Sequence, residues 1–163
     1  MIKSRRNYSF KKAASLLTGI IAETLTDMAR YQNESIQRGI NTQTDINGAK
    51  FAKLKPSTIE IRNKRGHGFT PLDRMKGERQ KKLRNTKSVP AKSSDLKSQV
   101  LMLTSYGVYH NEGFKAKGIF KNKPKEVPKR EWFGITKEMR RGGPQYEKYV
   151  KMTLTKIVKS INK

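Results

Sequence analysis

The chain has 163 residues and a mass of 18.7 kDa, the size of one domain (1–163), and carries 37 Lys and Arg against 13 Asp and Glu, a net charge of +24. It contains no cysteine, which excludes disulfide frameworks, Cys-ligated zinc and iron–sulfur centres, and thiol nucleophiles. Leu, Ile, Val and Phe make up about 21% of the residues, enough for a thin core only. No apolar run approaches the roughly 18 residues of a membrane span.

Lys3, Arg5, Arg6, Lys11 and Lys12 precede the mildly apolar stretch Ala13–Ala22, which is the layout of a leader segment. Ser15, Thr18 and Gly19 dilute that stretch, and its apolar spacing continues beyond it at helical period, so a helix is the better reading. Ala13, Leu16, Leu17, Ile20, Ile21, Leu25 and Met28 form one stripe of a long helix from Ser9 to Arg38. Ser9 is its expected N-cap and Gly39 its expected left-handed stop. A polar turn, Asn41–Lys50, leads to a short helix around Leu54–Ile59 with Ile59 facing inward. Asn63–Thr70 is a loop.

Residues 71–97 are basic and poor in apolar side chains and predict a flexible basic arm, in which Leu72, Met75 and Leu83 could mark one short amphipathic helix. Val100–Thr104 is an apolar run of strand length. Tyr106–Gly113 predicts a helical turn closed by glycine, and 114–127 a basic loop or hairpin. Pro144, after Gly142-Gly143, opens a last helix whose stripe is Tyr146, Tyr149, Val150, Leu154, Ile157, Val158 and Ile161. The expected fold is α+β, with long N- and C-terminal helices packed on a small antiparallel sheet and long basic loops.

Charge of this size concerns partners more than fold. Arg74–Lys97 holds nine basic residues against Glu78 and Asp95, and Phe114–Arg130 holds seven against Glu126. Lys81, Lys82, Arg84, Lys115, Lys117, Lys121, Lys123 and Lys125 are the residues expected to face DNA or an acidic partner, through counterion release rather than sequence readout. The competing reading is a solvated, solubilising surface.

Catalytic patterns are sparse, and neither a catalytic set, a metal site nor a cofactor is expected. His110-Asn111-Glu112 has a superficial likeness to metal-dependent nuclease sites, but such a site needs further ligands, and His67 lies far upstream in a glycine-flanked loop. Gly66-His67-Gly68 follows no strand and lacks P-loop spacing. Trp132-Phe133 after Pro128-Lys129-Arg130 could stack on bases or anchor the last helix onto the sheet; the second reading is favoured because Thr136 then resembles an N-cap.

Three phrases in order resemble the phage virion morphogenesis proteins, also called tail-completion or neck proteins. The first is Gly48-Ala49-Lys50-Phe51-Ala52-Lys53-Leu54-Lys55-Pro56-Ser57-Thr58-Ile59. The second is Tyr106-Gly107-Val108-Tyr109-His110-Asn111-Glu112-Gly113. The third runs Val127-Pro128-Lys129-Arg130-Glu131-Trp132-Phe133-Gly134-Ile135-Thr136. The family-like structural positions are Tyr109, His110, Gly113, Pro128, Arg130, Phe133 and Gly134. The family's Thr-Gly-x-Leu phrase is replaced here by the basic stretch Gly77–Arg84, and the Gly142-Gly143-Pro144 break is unusual for it.

The resemblance implies a non-enzymatic virion protein at the head–tail junction, a neck, tail-completion or tail-terminator component made in the host cytoplasm. Such a protein forms a ring of copies of itself, hexameric or dodecameric, against portal, neck or tail-tube proteins, near packaged DNA and away from membranes. The alternative from composition alone is a small basic nucleic-acid-binding module.

Overall fold

A computed structural model describes residues 10–64, 83, 85–104, 107–116 and 125–162. The fold is mixed α and β and mostly helical. Helix α1 (Phe10–Thr42) contains no proline and runs without a break for 33 residues. The predicted stop at Gly39 does not occur. Gly39 stays helical and lets the chain return closely, for a Cβ there would lie 3.0 Å from the carbonyl oxygen of Thr44. The left-handed residue is Gln43 (φ 57°), whose side-chain amide donates to the carbonyl of Ile40 at 2.5 Å. The expected cap Ser9 lies outside the described residues.

The predicted α1 stripe also ends too early. Leu16 is 49% exposed, and the side chains that reach the core are Ala22, Ala29, Gln32, Ile36 and Ile40. After α1, Asp45 accepts hydrogen bonds from the amides of Asn47 and Ala49, both at 2.8 Å, and turns the chain back so that Phe51 is buried. Helix α2 (Pro56–Lys64) starts with proline in its first turn and leaves Ile59 half-buried.

Strands β1 (Thr86–Val89) and β2 (Gln99–Met102) pair antiparallel, with Lys87 opposite Leu101. Within the predicted 71–97 arm, 86–89 is a strand and Leu83 is a core residue, 3% exposed, in a turn rather than a helix. Leu72 and Met75 lie outside the described residues. The hairpin is seated on α1 by polar contacts. Gln37 donates to the Thr86 hydroxyl and that hydroxyl to Asn33, both at 2.5 Å, while Ala91 N donates to Thr26 Oγ1 at 3.0 Å. Helix α3 (Gly107–Glu112) follows, then β3 (Phe114–Ala116) paired antiparallel with β4 (Lys125–Val127). The expected small sheet is thus two separate two-stranded ladders.

A 3-10 turn (Lys137–Met139) precedes α4 (Pro144–Ile161). Helix α4 packs antiparallel on α1: Tyr149 meets Tyr31 edge-on with centroids 6.3 Å apart, Thr153 donates to Thr24 at 2.8 Å, and Lys156 pairs with Glu23 at 3.0 Å. Only part of its predicted stripe turns inward. Tyr146, Tyr149, Val150 and Ile157 are half-buried, whereas Leu154, Val158 and Ile161 are more than half exposed. No helix among the described residues is long and apolar enough to cross a membrane.

Candidate functional site

The core gathers around Trp132, which is 1% exposed and packs with Ile36 and Ile40 of α1, Phe51, Leu83, and the half-buried Val100, Met102 and Phe133. Its indole N–H donates to the carbonyl oxygen of Gly107 at 3.2 Å, which satisfies the one polar atom of a buried ring. Gly107 is required there: a Cβ would collide with Met102 Sδ and come within 2.9 Å of the indole. Trp132 is therefore a structural anchor. It ties the third phrase to α1 and the first ladder, not to α4 as the sequence suggested, because the chain reaches α4 only after the 3-10 turn.

The surrounding hydrogen bonds join all three sequence phrases. Arg130 N donates to the carbonyl of His110 at 3.0 Å, and Phe133 N to the side-chain oxygen of Asn111 at 2.9 Å, linking the third phrase to the second. The Arg130 guanidinium donates to the carbonyl of Ala52 at 3.2 Å, linking the third to the first. Just ahead of the first phrase, Ile46 N donates to the carbonyl of Glu131, and Lys137 N to the carbonyl of Ile46, both at 2.8 Å. Gln32 clamps the same segment to α1: its amide donates to Gly134 O at 2.7 Å, and its oxygen accepts from Thr136 N at 3.2 Å and Thr136 Oγ1 at 3.1 Å. Thr136 spends its hydroxyl on Gln32 and makes no cap bond to the 3-10 turn it precedes.

The family-like residues divide by role. Gly113 adopts φ 73°, and a Cβ there would sit 2.8 Å from Lys129 N, so the second and third phrases touch backbone to backbone. Pro128 is half-buried and leads the chain from β4 into this contact, and Phe133 meets Trp132 edge-on at 5.5 Å. Tyr109 is 58% exposed and meets Phe114 edge-on, also at 5.5 Å. Arg130 is 5% exposed, and among the described residues no carboxylate pairs with it. Burial, then the like charge of Arg62, lowers its pKa; a guanidinium nevertheless stays charged. Burial first, then Arg130 and Arg62, pushes the His110 imidazole below its ordinary value, so it is neutral at pH 7.

Of the basic residues expected to face a polyanion, Lys115 lies exposed on β3 and Lys125 belongs to β4. Lys81, Lys82, Arg84, Lys117, Lys121 and Lys123 lie outside the described residues, as does His67. The described residues hold no group of three His, Cys, Asp or Glu side chains placed to share a metal ion. Sequence reasoning missed Gln32, Ile36 and Ile40, although Ala22, Ala29 and Ile36 recur at seven-residue intervals that extend the stripe past Met28. Compared with known families, curated proteins and solved structures, the chain matches none of them.

Proposed function

We propose that this chain is a non-enzymatic virion structural protein of the head–tail junction, acting as a ring-forming neck or tail-completion component against portal, neck or tail-tube proteins. The observation that carries the reading is the convergence of the three phrases. Segments 48–59, 106–113 and 127–136, far apart in sequence, are joined by the Arg130–His110, Arg130–Ala52 and Trp132–Gly107 bonds. Residues that resemble a family pattern only by type and order gain weight when one buried unit uses them together. The +24 charge suits a surface near packaged DNA. It also supports the second reading, a basic nucleic-acid-binding module, because a polyanion site needs little more than exposed lysines.

Sedimentation velocity of nuclease-treated protein at high salt separates the two. High salt screens repulsion between copies and removes nonspecific nucleic acid. A single discrete oligomer supports the ring. A monomer that binds DNA with a steep salt dependence supports the module.

A further inference from the structure

The fold leaves the chemistry of Arg130 unfinished. The residue is 5% exposed, and its guanidinium carries a full charge and a fork of N–H donors. Among the described residues, only Nη2 of its side-chain nitrogens has a hydrogen-bond partner, the carbonyl oxygen of Ala52 at 3.2 Å. Nε is shut off from solvent without one, and no carboxylate among the described residues forms an ion pair with the group. A buried charge without a counter-charge is costly, and a bound anion offsets that cost. The surroundings add positive charge instead of cancelling it. Burial, then the charge of Arg62 on α2, lowers the Arg130 pKa, so a second guanidinium lies within electrostatic reach.

A cleft of about 220 Å³ opens beside Arg130, and its lining includes Ala52, Lys50, Lys129, Asp45 and Glu131. Ala52 takes the Nη2 bond and also lines the cleft, so the guanidinium end stands at its wall. Both carboxylates there already have donors. Asp45 accepts from the amides of Asn47 and Ala49, each at 2.8 Å. Glu131 takes the Lys129 ammonium and, at 3.2 Å, the side-chain amide of Asn47. Lys50 Nζ donates to the carbonyl of Thr42 at 2.9 Å, a neutral partner that leaves its charge uncancelled. We propose that this cleft binds one small free oxyanion, a phosphate or a carboxylate, anchored by Arg130 and assisted by Lys50. The planar guanidinium fork matches two oxygens of such an ion, a pairing that a single carbonyl does not provide. A volume below the roughly 300–1,000 Å³ of drug-sized sites suits an ion with a few waters, not a larger ligand. The inference does not rest on the proposed virion role.

Isothermal titration calorimetry of the full chain with sodium phosphate tests it, at about 0.3 M salt, where exposed lysines are screened and a buried charge much less so. The expected result is one site per chain. Arg130→Gln removes the anchor and Lys50→Gln an exposed lysine of the cleft, while Lys115→Gln removes the same charge from an exposed lysine on β3 outside it. Affinity should fall at least about 10-fold in Arg130→Gln, at least about 3-fold in Lys50→Gln and less than about 1.5-fold in Lys115→Gln. Far-UV circular dichroism checks folding; if Arg130→Gln does not fold, the contrast between the two lysine variants decides. No saturable binding, several equivalent sites, a folded Arg130→Gln that binds as tightly as the parent, or equal weakening by the two lysine variants overturns the proposal. Sedimentation velocity supplies the last arm. Self-association of the parent that Arg130→Gln abolishes, with no phosphate bound, overturns it in favour of a carboxylate from a second copy.

Discussion

Replacing Trp132 by Phe probes the centre of the fold while keeping an aromatic ring in it. The change removes the indole N–H that donates to Gly107 O at 3.2 Å, a net loss of about 1 kcal/mol. It also removes two ring carbons from a site that is 1% exposed, at about 0.8 kcal/mol for each carbon's worth of burial, or ~1.6 kcal/mol. Together these predict a destabilisation of about 2–3 kcal/mol, a large share of the roughly 5–15 kcal/mol that holds a domain of this kind together. Urea unfolding followed by far-UV circular dichroism measures it, since the substitution removes the chain's only tryptophan. Leu154→Ala is the matched control: Leu154 is 56% exposed, so its loss should cost within about 0.5 kcal/mol. A Trp132→Phe effect under about 1 kcal/mol, or one no larger than the control, would refute the claim that Trp132 binds the three phrases together.

Gly107→Ala should destabilise by about 1–3 kcal/mol through overpacking against Met102 and Trp132, and Met102→Ala in the same chain should recover part of that loss in thermal melts. His110 has a folded-state pKa below its unfolded value, so the unfolded chain binds the extra proton. Its contribution to stability is complete above about pH 6.5 and declines as the pH falls toward the lowered folded value. Urea midpoints at pH 7.5 and 5.5 should therefore differ in that direction, and His110→Gln should shrink the difference. Replacing Lys81, Lys82 and Arg84 together by Ala should weaken DNA binding and reduce the salt slope by up to about 0.9 per lost phosphate contact, leaving helix content unchanged. An unchanged slope would make this stretch a solvated arm.

The two long helices were legible because each is amphipathic over many turns, and tertiary packing cannot easily override a pattern of that length. Their ends and inner faces were harder to read. Gly39 looked like a stop, but a glycine also serves where a chain passes close by, and here Thr44 does. Leu154, Val158 and Ile161 lie on the apolar side of α4, yet α1 is too narrow to cover them, and periodicity does not reveal a partner's width. Strand β1 is hidden in a polar run because Thr86 turns its hydroxyl toward Asn33 and Gln37 of α1, where an apolar residue would have announced a strand. The structural role of Trp132 is legible from its place before Gly134-Ile135-Thr136, but its destination depends on a glycine 25 residues upstream. The order of the phrases was visible in the sequence. Their meeting at Arg130 and Trp132 depends on long-range contacts that no local pattern encodes.

In physical terms the domain is a helix pair bearing two small hairpins, sewn together by buried polar bonds as much as by its narrow apolar core. Gln32, Arg130 and Asn111 each reach across more than 20 residues of sequence to a backbone group. Such bonds stabilise modestly when made but cost more when a buried group loses its partner, so they favour one arrangement of the segments. A chain built this way can present fixed surfaces to neighbours despite its thin core, which is the property that assembly into a ring would use.

Negative-stain electron microscopy of the nuclease-treated full chain at high salt tests the proposed ring most directly. Closed rings of one uniform diameter, hexameric or dodecameric, that persist once nucleic acid is gone are the expected result. Dispersed single subunits at every concentration, binding DNA with a steep salt slope, would contradict it and leave a nucleic-acid-binding module in its place.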